Sequence, residues 1–152
     1  ERPLTIIGGY LASLFHMGKI TYVIKPEISD KLLNELFLSA WDDHEENSFR
    51  SVLAHSLTYV CAFDKDRLVA FVNVAWDGGV HGFILDTTVH CDYQRQGIGT
   101  ALLQHAATAA SEQGLEWLHV DFEPHLTSFY RGCGYRSTEA GLLNLRELSA
   151  QI

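Results

Sequence analysis

Basic side chains are in short supply in this chain: 11 Lys and Arg face 19 Asp and Glu, a net charge of −8. So few scattered cations cannot assemble a phosphate-binding face, which excludes nucleic acid as a partner. Cysteine is equally sparse. Cys61, Cys91 and Cys133 are odd in number, far apart and form no Cys-x-x-Cys pair; they read as reduced thiols of a cytoplasmic protein. No His-Glu-x-x-His and no Cys/His ligand spacing occurs, so no metal is expected. Long hydrophobic runs are missing too. The apolar stretch Leu4 to Phe15 is too short to span a bilayer and lacks the basic start and cleavage site of a signal peptide. No membrane association is therefore expected. Residues 1–16 read as an upstream extension or a segment foreign to the domain, because the only methionine, Met17, stands just before the first strand signal. The domain proper is taken as 17–152. Apolar residues are what the chain has in plenty: 47% of 152, enough for one domain with a real core. The acidic balance suits a cationic substrate such as an amine.

Periodicity and breakers set out the elements. Ile20–Lys25 alternates as a strand and Pro26 ends it. Ser29 caps a helix that runs to about Trp41, with Leu32, Leu33, Leu36, Phe37 and Ala40 on its apolar face. A second helix follows at about Ser48–His55. The acidic connection Asp42-Asp43-His44-Glu45-Glu46 reads as a solvated loop, with the rim of an amine site as its functional alternative. Strands are predicted at Leu57–Phe63 and Leu68–Trp76 around the turn 64–67. Asp77-Gly78-Gly79 then leads antiparallel into Val80–His90 as a hairpin. A helix spans about Gly97–Gln113 and stops at Gly114, and Trp117–Glu123 is predicted as a strand. Crossover handedness makes that strand parallel to Val80–His90. A short helix at about Leu126–Gly132 and strands near Tyr135–Thr138 and Leu142–Leu148 close the chain. The fold class is α/β, with a mixed, mostly antiparallel sheet flanked by helices.

The segment Gln94-Arg95-Gln96-Gly97-Ile98-Gly99-Thr100 carries the sharpest chemical signal. It joins an apolar strand to a helix with Ile98, Ala101, Leu102, His105, Ala106 and Ala109 on one face. Glycine lets the backbone approach a ligand, and the first N–H groups of the helix, at the positive end of its dipole, suit a pyrophosphate. A Rossmann fingerprint is excluded because Leu102 stands where a third small residue belongs. A Walker loop is excluded because no Gly-Lys-Ser/Thr occurs.

This loop resembles the Gln/Arg-x-x-Gly-x-Gly/Ala signature of the GNAT superfamily of acyl-CoA-dependent N-acyltransferases. Residues 87–94 are similar to that family's lead into the loop. Ser128-Phe129-Tyr130-Arg131-Gly132-Cys133-Gly134-Tyr135 resembles its Phe-Tyr-x-x-x-Gly-Phe segment. The likeness covers roughly residues 19–148, and two spaced motifs are far more specific than one. It implies acetyl-CoA as acyl donor and two parallel strands that splay apart at their C-terminal ends. The pantetheine arm would pair there with backbone at Thr87, Thr88 and Val89 like an added strand. The Val89 N–H becomes a candidate donor to the thioester oxygen. Tyr130 stands where the family serves the departing thiolate.

Acyl transfer also needs a base, since an alkyl ammonium with a pKa near about 10 is no nucleophile. Asp86 interrupts an apolar run, where a lone charge must be partnered or functional. Strand alternation would put Asp121 and Glu123 on one face, and the family often carries Asn near position 123. Asp86 and Glu123 are thus the candidate bases, with His90 and His125 behind them. Trp76, Asp77, Phe83 and Asp121 are candidate substrate contacts, although Trp76 and Phe83 read first as core. His105 reads as a core residue. Cys91 and Cys133 lack a His partner by spacing, which favours direct attack on the thioester over a ping-pong route. The expected reaction is acetylation of a small primary amine. Two other readings stay open: a non-catalytic acyl-CoA-binding module, and a protein or peptide N-acetyltransferase. A homodimer is left open as well.

Overall fold

The computed structural model describes residues 19–149; the expectation for residues 1–16 lies outside them. Internal contacts divide the chain into two compact units, one up to Val120 and one from Asp121 onward.

The first unit is a five-stranded sheet in sequential order: β1 (Thr21–Ile24), β2 (Thr58–Asp64), β3 (Arg67–Trp76), β4 (His81–Val89) and β5 (Trp117–His119). All neighbours are antiparallel except β4 and β5, which are parallel. Helix α1 (Asp30–Ala40) starts where expected, with the Ser29 hydroxyl accepting from the Leu32 N–H at 3.3 Å. Its buried Leu33, Leu36 and Phe37 recur at i, i+3 and i+4 and meet Tyr59, Cys61 and Phe71 of the sheet. Helix α2 (Arg50–His55) is short. The alternate sheet residues Val60, Ala62, Ala70, Val72 and Val74 are also buried, so both faces of β2 and β3 are covered. Helix α3 (Ile98–Glu112) packs on β2 and β3 and buries Ile98, Leu102, Leu103, Ala106, Ala109 and Ala110. Each of the Ile and Leu side chains contributes about 1.5–3 kcal/mol.

Several expectations need correction. His105 is exposed, stacked on Tyr22 at 4.6 Å, because its position on α3 falls just outside the buried stripe. Trp76 and Phe83 are 43% and 40% exposed rather than core, at the hairpin end of β3 and β4. Strand β5 ends at His119 instead of continuing to Glu123. Its ladder with β4 holds only His81↔Trp117, Gly82↔Leu118 and Phe83↔His119, and a strand without a partner ladder does not persist.

The second unit begins with an extended connection and a 3-10 turn, Pro124–Leu126, which leads into α4 (Thr127–Gly132). The predicted strands near Tyr135–Thr138 and Leu142–Leu148 are absent. Residues 135–144 are irregular and α5 (Leu145–Ser149) follows. Asn144 caps that helix by accepting the Arg146 N–H at 3.0 Å. The sequence Asn144-x-x-Glu147 carries this start signal, which outweighs the leucine run.

Candidate functional site

The site grows from an irregularity in β4. Opposite β3 the register runs Phe71↔Thr88 and then Asn73↔Leu85, so Val72 alone faces both Asp86 and Thr87. One extra residue on β4 makes a bulge. Asp86 absorbs it in the left-handed region, at φ 58, a conformation that Asp and Asn tolerate better than other side chains. The Thr88 hydroxyl donates to the Asp86 carbonyl at 3.0 Å and accepts from the Trp41 indole N–H at 3.2 Å. Trp41, the residue that ends α1, is thereby pinned to the bulge.

The acidic segment after Trp41 is not a free loop. Asn34 on α1, 7% exposed, donates from Nδ2 to the Asn47 carbonyl at 2.8 Å and accepts the Asn47 N–H at 3.1 Å. His44 Nε2 lies 2.8 Å from the same Asn34 oxygen. The His44 ring packs against Phe37 and Phe49 at 5.3 and 6.3 Å, and Asp30 accepts the Phe49 N–H at 2.9 Å. These contacts shape a cleft of about 420 Å³ lined by Phe37, Trp41, Asp43, His44, Glu45, Asn47 and Asp86. Three carboxylates and two aromatic rings line it, without a Lys or Arg. The Asp86 side chain reaches solvent at the mouth, yet surrounding protein desolvates it enough to raise its carboxyl above the ordinary range. Crowding sets that direction, because ionisation responds to the medium around the whole group rather than to one open side.

Past the bulge lies the other half. After Phe83↔His119 the β5 side of β4 has no partner strand among the described residues, so the backbone from Ile84 to Val89 presents an open edge. The Thr87 hydroxyl oxygen is buried and has no hydrogen-bond partner. Beyond it the loop is braced from below. The His90 N–H donates to the Val69 carbonyl at 2.8 Å, and the Tyr93 hydroxyl to Asp64 at 2.8 Å. Gln94 donates to the Val89 carbonyl at 3.1 Å, and Gln96 to the Asp92 carbonyl at 3.3 Å. Two left-handed residues, Arg95 (φ 59) and Gly97 (φ 79), wind the chain into α3, whose first turn has no side-chain cap. The open first turn, with Ile98, Gly99 and Thr100 in it, is the geometry an anion needs.

Other sequence candidates fall elsewhere. His90, 9% exposed, receives the Arg67 guanidinium at 2.8 Å on Nε2 and the Asp92 N–H at 3.1 Å on Nδ1. Burial and the Arg67 charge push its imidazole below the usual range. It organises the loop rather than facing the cleft. His90, Cys91 and Asp92 bring ligand-type atoms within 4.8 Å of one another, but the guanidinium at His90 opposes a cation there. Asp77 closes the β3–β4 hairpin, accepting the Gly79 and His81 N–H groups at 2.8 and 3.2 Å. Trp76 pairs with Gly82 and Phe83 stacks on His119 at 5.0 Å. These three residues gather at the hairpin end of the ladder, and none of them lines the cleft.

In the second unit Asp121 and Glu123 are exposed on the extended connection, without the strand alternation that was to align them. Glu123 accepts the Leu126 N–H at 2.9 Å through its carbonyl. Tyr130 is 5% exposed, stacked on Phe122 at 4.5 Å and edge-on to Phe129 and Tyr135. Burial pushes the Tyr135 hydroxyl up to about 12, and it has no hydrogen-bond partner. The residue that sequence reasoning missed is Asn34; His44 figures in it only within the segment 42–46, under the alternative reading as the rim of an amine site. Asn34 did leave a signal: a polar amide on the apolar stripe between Leu33 and Leu36 must find partners.

Comparison with known proteins agrees with this geometry. Residues 27–135 match the family model described as the Acetyltransferase (GNAT) family. An uncharacterized N-acetyltransferase, ycf52 of Porphyra purpurea, is 25% identical over 99 residues, 62% of this chain and 57% of that protein. Serotonin N-acetyltransferase 2, chloroplastic, of Oryza sativa subsp. japonica is 28% identical over 108 residues, 68% of this chain and 54% of that protein. The chain thus spans little more than half the length of these relatives. A GNAT-family acetyltransferase structure from Streptococcus pneumoniae TIGR4 superposes with a TM-score of 0.69 at 25% identity, over 82% of this chain and 98% of that one.

Proposed function

The chain belongs to the Acetyltransferase (GNAT) family, and from that premise we propose that it moves an acetyl group from acetyl-CoA to the primary amine of a small cationic substrate by direct attack. The observation that carries this reading is the Asp86 bulge. It sets a partly desolvated carboxylate in the wall of an acidic, aromatic cleft, on the open backbone edge that continues through Thr87–Val89. The pyrophosphate sits on the backbone N–H groups of residues 94–100, and the pantetheine arm runs along Thr87, Thr88 and Val89. The orphaned Thr87 hydroxyl supports this placement, since a buried polar atom without a partner is costly unless a ligand satisfies it. Trp41 and Phe37 flank the ammonium, and Asp86 pairs with it and helps to deprotonate it. The Val89 N–H stabilises the oxyanion, and the family resemblance gives Tyr130 the service of the leaving sulfur. The similarity to a serotonin N-acetyltransferase supports an amine acceptor. Asp86 is preferred to Glu123 as the carboxylate at the amine, because it lines a cleft.

A panel of primary amines assayed for CoA thiol released from acetyl-CoA tests the reading. Release that rises with a small cationic amine is expected. Tight acetyl-CoA binding without release for any amine would instead favour a binding module.

A further inference from the structure

We propose that His44 is a second proton acceptor of the cleft, locked in one tautomer by Asn34, and that it takes the proton shed by the substrate ammonium. This rests on the amine-acetylation reading above. The argument starts from Asn34, whose amide is oriented from both ends. Its Nδ2 donates to the Asn47 carbonyl at 2.8 Å, and its Oδ1 accepts the Asn47 N–H at 3.1 Å. The atom 2.8 Å from His44 Nε2 is therefore an oxygen, which only accepts. Nε2 must carry the hydrogen. A neutral imidazole has only one N–H, so Nδ1 is left with its lone pair. Nδ1 has no hydrogen-bond partner among the described residues. The ring packs against the Phe37–Phe49 pair, and His44 lines the same cleft as Asp86.

The chemistry calls for such a group. An alkyl ammonium and a thioester give an amide, a thiol and one free proton, so the nitrogen sheds two protons. One is balanced by the thiol and the other must leave for water. The forming N–C bond replaces the C–S bond, whose electron pair departs on sulfur. The first proton must come off before attack, because only the neutral amine has an electron pair to give. Nδ1 of His44 accepts it, and Nε2–H stays on Asn34. Asp43, Glu45 and Asp86 are the titratable groups that share the cleft with His44. Its proton then passes to solvent through the open mouth. Asn34 is a positioning residue in this scheme: it fixes which nitrogen is basic and holds the segment from Trp41 to Asn47 in place.

The pH profile of kcat/KM for the amine tests this, together with the 15N signals of the His44 ring. The parent should show the Nε2–H tautomer and a rate that rises with pH through one ionisation. His44→Gln keeps a donor for Asn34 Oδ1 but cannot take a proton. It should lower kcat about 10²–10³-fold and abolish that limb, with acetyl-CoA affinity unchanged. Asn34→Asp sets a carboxylate against Nε2–H and should move the limb upward by about one pH unit. Should Asn34→Asp fail to fold, added imidazole restoring turnover to His44→Ala serves in its place. A structural histidine would lose rate equally at every pH and would not respond to imidazole. The proposal is overturned by a parent ring protonated on Nδ1, or by a His44→Gln protein that keeps the limb. Turnover that ignores His44 leaves the acetyltransferase reading standing, whereas a parent that acetylates no amine removes both.

Discussion

Asp77 and Asp86 lie nine residues apart on one β-hairpin, and their surroundings are opposite. Asp77, at the turn before β4, accepts two backbone N–H groups, and those bonds hold its carboxyl below the ordinary range. Asp86, at the bulge, accepts none that the structure shows, and burial raises its carboxyl instead. The two ends of β4 differ in the same sense. From His81 to Phe83 the strand is laddered towards β5, and beyond Phe83 that edge is open. One end is spent on structure and the other is free to meet ligands. Identical residue types thus divide into a turn-maker and a chemical group because of what the backbone around each has already satisfied.

The largest effect should come from the glycines that flank the strand. Gly78 and Gly97 share the left-handed conformation, at φ 81 and 79, and a Cβ on either would meet nothing within 4 Å. Any difference between their substitutions therefore reports ligand rather than packing. Gly97→Glu puts bulk and negative charge where phosphate meets backbone, and should abolish the thermal stabilisation that acetyl-CoA confers on the parent. Gly78→Glu should lower Tm while leaving the ligand-induced shift intact. Equal shifts in both proteins would remove the cofactor from the loop.

Next in size is the contrast between the aspartates in turnover. Asp86→Asn should reduce kcat/KM for the amine by about 10²–10⁴-fold, with acetyl-CoA affinity unchanged. Asn adopts the left-handed region at least as readily as Asp, so the bulge survives the change. Asp77→Asn should stay within about threefold of the parent, because surface turn positions seldom affect more than stability. Steady-state kinetics on the three proteins decides it. Comparable losses at both positions would mean that the hairpin end belongs to the acceptor site after all. Tyr130→Phe should fall between these two, lowering kcat more than it raises the KM for acetyl-CoA.

The same contrast explains which parts of the molecule were legible in the sequence. Local signals were sufficient wherever a few neighbouring residues decide the outcome. The Ser29 cap, the Asp77-Gly78 turn and the left-handed Gly97 before α3 are of that kind. Asp86 was detectable as a charge inside an apolar run, but nothing nearby announces that it takes up a bulge, which depends on register against β3. The acidic segment after Trp41 was read as a solvated loop because its tether, Asn34, lies 13 residues before Asn47. Strand β5 was drawn too long because alternation in Trp117–Glu123 says nothing about whether a neighbour exists to pair with. The leucines at 142, 143 and 145 imitated a strand, yet they are 87%, 70% and 67% exposed, and the Asn144 cap governs there.

The smallest expected effect is also the one with a sign to get right. Asp86 has a raised folded-state pKa, so the folded protein holds that proton more tightly than the unfolded chain does. Stability then falls as pH rises from the unfolded carboxylate value to the folded one, and the penalty is fully present at neutral pH. Asp77 runs the other way. Its lowered pKa adds stability that is present above the unfolded value and is lost as pH falls through the folded one. At neutral pH, Asp86→Asn should therefore raise Tm by roughly 1–3 °C, since the side chain keeps some solvent contact. Asp77→Asn should lower it, because a neutral amide oxygen accepts the Gly79 and His81 N–H groups less strongly than a carboxylate. Well below about pH 4 both carboxylates are protonated in folded and unfolded chains alike, and each difference should shrink towards zero. Calorimetric scans of the three proteins at neutral and acidic pH measure this. A Tm for Asp86→Asn below that of the parent at neutral pH would mean that the carboxylate is paired rather than desolvated, and the contrast between the two ends of β4 would lose its electrostatic half.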